Sequence, residues 1–148
     1  MKNFIYDPIE LSILYLLNEH NLVDCINDNE LDFLNSIYNE KIRLLCKIIN
    51  ILKDNKNITT GGLLCKLFNE NRDDLITVTQ LSVEPMPSGD YDFLKNEFLE
   101  MLKHVNYNMK RKKIENLIKK LNNSGLSQKE KEEFQELILD VKNVNKKH

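Results

Sequence analysis

Three kinds of residue in this chain could do chemistry, and none is spaced to do it. Cys25, Cys46 and Cys65 stand far apart. Zinc sites and disulfide frameworks draw on pairs at short spacing, so these three read as reduced cysteines among apolar neighbours. His20 and His104 have no Cys or carboxylate partner at nucleophile or metal-ligand spacing. Asp73-Asp74 and Glu132-Glu133 are adjacent in sequence. On a helix such neighbours diverge by about 100° and cannot work as acid and base on one substrate atom. Ile58-Thr59-Thr60-Gly61-Gly62 borders on a phosphate loop but lacks the Gly-Lys-Ser/Thr ending. Thr59 or Thr60 as the N-cap of a helix over Leu63–Phe68 accounts for it. The expectation is a chain with no catalytic residues, no metal and no cofactor.

One charge cluster remains. Lys110-Arg111-Lys112-Lys113, with Lys103, Lys119 and Lys120, can meet phosphates or an acidic protein surface. Tyr107 alone makes no interleaved aromatic platform for bases. The lysines therefore read as the solvated face of a long helix, their stems covering apolar neighbours. Direct nucleic-acid binding is expected to be weak or absent.

Those charges lie on the element that organises the chain, a helix read from about Asp90 to Asn123. Leu94, Phe98, Met101, Leu102, Val105 and Met109 share one face at helical spacing. Ile114, Leu117, Ile118 and Leu121 share a roughly opposite one. A helix that changes sides halfway needs two packing partners: a helical body for its first half and a returning helix for its second. The predicted division is a body over 1–109 and a hairpin over 110–148.

The body starts at Asp7-Pro8-Ile9-Glu10, a capped helix start running to about Asn18. A short helix is predicted over Leu22–Ile26, a connector over 28–32, and a longer helix carrying Ile37, Leu44, Leu45, Ile48, Ile49 and Leu52. After the helix at Leu63–Phe68 comes a fifth over Asp73–Leu81, then a linker over 84–89 containing two prolines and a glycine. The long helix ends near Gly125, suited to the left-handed C′ position. Ser127-Gln128-Lys129-Glu130 is a capping box that opens the last helix, whose stripe is Phe134, Leu137, Ile138, Val141 and Val144. No period-two alternation suggests a strand, and the predicted fold class is all-α.

Composition agrees. The chain has 148 residues, 41% hydrophobic and 30% charged, with four Gly, three Pro and net charge −2. That suits a soluble helical domain. No apolar run reaches the roughly 20 residues of a membrane span and no signal-peptide pattern opens the chain, so it is expected to be cytoplasmic. Residues 1–102 carry 17 acidic and 9 basic side chains; residues 103–148 carry 6 and 12. An acidic body thus bears a basic appendage.

Ile13-Leu14-Tyr15-Leu16-Leu17 followed by Glu19-His20-Asn21-Leu22-Val23, then Leu63-Leu64 after Ile58-Thr59-Thr60-Gly61, then Gly125-Leu126-Ser127-Gln128-Lys129-Glu130 carry a resemblance in their order and spacing. The chain resembles the C-terminal helicase-binding domain of bacterial replicative primases (DnaG-type) over nearly its whole length. The resemblance implies a six-helix body and a hairpin that docks on the N-terminal region of the hexameric replicative helicase. It also implies that docking brings primase to the fork and that the body modulates the helicase. Primer synthesis and zinc binding belong to the family's other domains, so this chain is expected to be a non-catalytic domain of a DNA-directed RNA polymerase.

In the last helix, Phe134, Leu137, Ile138 and Val141 are expected to maintain the hairpin. The expected partner-binding set is Glu133, Glu136, Leu137, Asp140, Val141, Asn143, Lys146 and Lys147. Two rival readings are the N-terminal domain of the replicative helicase itself, which would self-associate through the hairpin, and a small DNA-binding protein using the basic block.

Overall fold

Asp7 caps the first helix, its Oδ1 accepting from the Glu10 amide at 2.9 Å, with Pro8 in the first turn. This helix, α1 (Pro8–Asn18), buries Ile9, Ile13, Leu14, Tyr15, Leu16 and Leu17. A near-continuous apolar run can be buried this way only at the centre of a bundle. The computed structural model describes residues 7–85 and 88–146, with side chains through Asn143. Every regular element among them is helical.

After α1 come a 3₁₀ segment (His20–Cys25), α2 (Asp28–Asn35), α3 (Glu40–Asp54), α4 (Thr60–Phe68), α5 (Arg72–Ser82), α6 (Tyr91–Asn123) and α7 (Gln128–Lys146). They form two compact units, residues 1–104 and 105–148. In the first unit α1 packs on α3, α5 and the 3₁₀ segment, while α3 also meets α2 and α4. Polar ties fix the angles between these helices. Lys41 on α3 bonds Asp7 at 2.6 Å and Glu10 at 2.9 Å, which pushes its ammonium up to about 12. Burial alone would raise the Asp7 carboxyl. The Lys41 ammonium and the Glu10 amide outweigh it and hold the group below its ordinary value.

Three expectations are corrected here. The 28–32 connector is helical: Asn27 caps α2 by accepting from the Asn29 amide at 2.7 Å, and Asp28 and Glu30 suit the positive helix N-terminus. The charges that read as a loop are first-turn charges, and Leu31 and Leu34 are the buried face behind them. The short helix over Leu22–Ile26 is the 3₁₀ segment His20–Cys25. Ile37 lies outside α3, which starts at Glu40 because Asn39 caps it, accepting from the Lys41 and Ile42 amides.

Leu94, Phe98 and Leu102 of α6 are buried in the first unit. Val105 and Met109 continue the stripe and are buried in the second. Met101, on the same face, is half-buried. Met86 and Pro87 of the predicted linker lie outside the described residues.

Candidate docking site

The second unit is a hairpin, and its turn is written in three residues. Gly125 has φ +82, open to glycine at little cost, and the Ser124 and Gly125 amides both donate to the Lys120 carbonyl, at 2.9 and 3.0 Å. Ser127 and Glu130 then bond reciprocally: the Ser127 amide donates to Glu130 Oε1 at 3.0 Å, and the Glu130 amide to Ser127 Oγ at 3.2 Å. This is the capping box expected from the sequence.

An ion-pair ladder joins the two helices. Lys120 meets Glu130 at 2.5 Å, Lys113 meets Glu133, and Lys110 meets Asp140 at 3.5 Å. Lys120 and Glu130 are equally far from Gly125 along the chain, as are Lys110 and Asp140, which sets the antiparallel register. Glu130 is held at about 2, first by the Lys120 ammonium and then by the Ser127 amide and hydroxyl. Three members of the basic block are therefore engaged within the hairpin. A fourth, Arg111, lies over the Tyr107 ring at 5.9 Å.

The apolar seam is narrow. Leu117 on α6 and Leu137 on α7 are its buried leucines. Ile114, Phe134, Ile138 and Val141 are half-buried. Ile118 and Leu121, which share a face with Leu117, are 42% and 49% exposed. One returning helix covers one seam, and these two project past it. Leu139 on α7 is 60% exposed.

The expected contact residues separate accordingly. Leu137 turns into the seam and Val141 lies at its edge. Glu133 and Asp140 are engaged with Lys113 and Lys110, while Glu136 and Asn143 are exposed. The side chains of Val144 and Lys146, and all of Lys147, lie outside the described residues.

In the body, the residues considered for chemistry are structural. Thr59 caps α4, accepting from the Gly62 amide at 3.0 Å. Thr60 donates to the Leu17 carbonyl at 3.2 Å. His20 places Nδ1 3.0 Å from the Ile58 carbonyl and Nε2 3.3 Å from Thr60 Oγ1, pinning the 3₁₀ segment to the start of α4. Asp74 is buried and takes both guanidinium nitrogens of Arg43, at 3.0 and 3.2 Å, with Lys47 at 3.4 Å. Cys46 is buried, which pushes its thiol up to about 11, and Cys25 is half-buried. Cys65 is exposed, contrary to its expected place in the core. Among the described residues no three His, Cys, Asp or Glu side chains are grouped to hold a metal ion, and no helix is long and apolar enough to cross a membrane.

Among the described residues the chain is thus an all-α body followed in sequence by an antiparallel hairpin that leaves apolar side chains exposed. The model of the DNA primase DnaG DnaB-binding family matches residues 15–137, and the chain belongs to that family. Its partner is the replicative helicase. The solved structure of the DnaG primase C-terminal domain from Vibrio cholerae is similar, with TM-score 0.70 and 25% identity, covering 89% of this chain and 96% of that one. No curated protein matches the chain.

Proposed function

We propose that this chain recruits a DNA primase to the replication fork by setting its hairpin on the N-terminal region of the hexameric replicative helicase, with the body modulating helicase activity. The parent protein is then a cytoplasmic DNA-directed RNA polymerase, and this domain carries none of its catalysis. The observation that carries the reading is the hairpin's uncovered margin. Ile118 and Leu121 stay wet although two helices are already paired. Burial against a partner would remove that apolar surface from water at about 25 cal/mol per Å². The helix-in-groove mode suits such a surface. The DNA-binding reading is weaker, because Lys110, Lys113 and Lys120 are neutralised by Asp140, Glu133 and Glu130.

Fluorescence anisotropy of the labelled chain, titrated in parallel with the same organism's replicative helicase and with duplex DNA, tests it. Saturable binding to helicase and none to DNA at physiological salt is expected. Binding to DNA alone, with steep salt dependence, would overturn the proposal.

A further inference from the structure

The two sides of the hairpin differ in chemistry, and the difference selects one of them for the partner. At about 100° per residue, the side chains of two antiparallel helices can be sorted to either side of the Leu117–Leu137 seam. Lys113 and Glu133 fall on one side and pair there, with the exposed Glu136 and Asn143 beyond them. On the other side fall Ile114, Ile118 and Leu121 of α6 and Phe134, Ile138 and Val141 of α7. Two of these six are exposed and four are half-buried.

The apolar side is bordered mainly by cations, the exposed acid Glu115 lying farther round α6. Arg111 borders it on α6, and Lys131 and Lys142 border it on α7; all three are exposed. None of the three forms an ion pair with a described residue. The hairpin's acids Glu133, Glu136 and Asp140 lie toward the opposite side, and two of them are already neutralised.

We infer that this apolar side, and not the side bearing Glu136 and Asn143, receives an amphipathic helix of the replicative helicase whose apolar ridge is flanked by acidic residues. The inference rests on the docking function proposed above and assigns it a face. The ridge packs over Ile118 and Leu121, and its acids meet Arg111, Lys131 and Lys142. Apolar burial then supplies the stability of the complex. The cationic rim selects the partner and speeds its encounter.

The test compares the faces by helicase binding of the full chain. I118D and L121D change exposed positions, and circular dichroism verifies that the hairpin stays folded. Each is expected to weaken binding by about tenfold or more. The R111E/K131E/K142E chain leaves the apolar residues intact and is expected to bind about tenfold more weakly with a reduced salt dependence. On the other side, E136K and N143K are expected to stay within about twofold of the unaltered chain. Undiminished binding by I118D and L121D, with loss in E136K, would overturn the face assignment and leave helicase docking standing. No binding by the unaltered chain would overturn docking and the face together.

Discussion

Lys120 and Glu130 face each other at 2.5 Å across the hairpin turn, equally distant from Gly125 in the chain. Glu130 thus does two things at once, closing the capping box of α7 and tying that helix back to α6.

This dual role sets a pH dependence. The Glu130 carboxyl lies at about 2 in the folded hairpin against 4.5 ordinarily. A lowered folded value means the stabilisation is present above about pH 4.5 and is lost as pH falls through about 2. Glu130→Gln keeps a capping-box residue and removes the charge. Its hairpin should melt below the parent's at pH 6, with the difference gone near pH 2. A difference that persists undiminished at pH 2 would show that the Lys120 contact does not stabilise the hairpin.

Gly125 is the second determinant of the turn. A Cβ there meets nothing within 4 Å, so a substitution is opposed by backbone conformation alone, at φ +82. Gly125→Ala should destabilise the hairpin by about 1 kcal/mol, and Gly125→Asn by less, since asparagine tolerates the left-handed region. Denaturant melts followed by helicity would measure both. Equal stability of all three chains would exclude the left-handed turn.

In the body, the Arg43–Asp74 contact joins α3 to α5. Asp74 is buried while the Arg43 side chain is 48% exposed, so losing the acid returns that cation to water, and Lys47 keeps Glu70 at 2.7 Å. Asp74→Ala should therefore cost about 1–3 kcal/mol, below the range for a fully buried pair. Urea melts of the unaltered and substituted chains decide it. A change under a few tenths of a kcal/mol would make the contact incidental.

Much of this was legible because helix caps and apolar stripes are local signals. Asp7-Pro8, Thr59 and Ser127–Glu130 each mark a helix start that the structure has. The apolar stripe of α6 changes face after Met109, a shift that local spacing alone makes visible. Asp28 and Glu30 misled, because first-turn acids and loop acids look alike until the Asn27 cap is recognised. Periodicity placed Ile118 and Leu121 on Leu117's face, but it does not report how much of that face a partner covers. His20 found its hydrogen-bond partners in Ile58 and Thr60, far along the chain, where spacing carries no signal. Two rungs of the ion-pair ladder, Lys120–Glu130 and Lys110–Asp140, could have been found by folding the sequence about Gly125 and matching charges.

The central claim is that the hairpin carries the helicase contact, and Leu137→Asp tests it most directly. Leu137 is 5% exposed, and a carboxylate there would be buried among the seam's apolar side chains, so α7 should part from α6. The measurement is the affinity of this full-length variant for the replicative helicase, with helicity and body melting recorded on the same sample. A loss of about tenfold or more is expected, with the body still folding cooperatively. Unchanged affinity in a variant whose hairpin has demonstrably opened would contradict it.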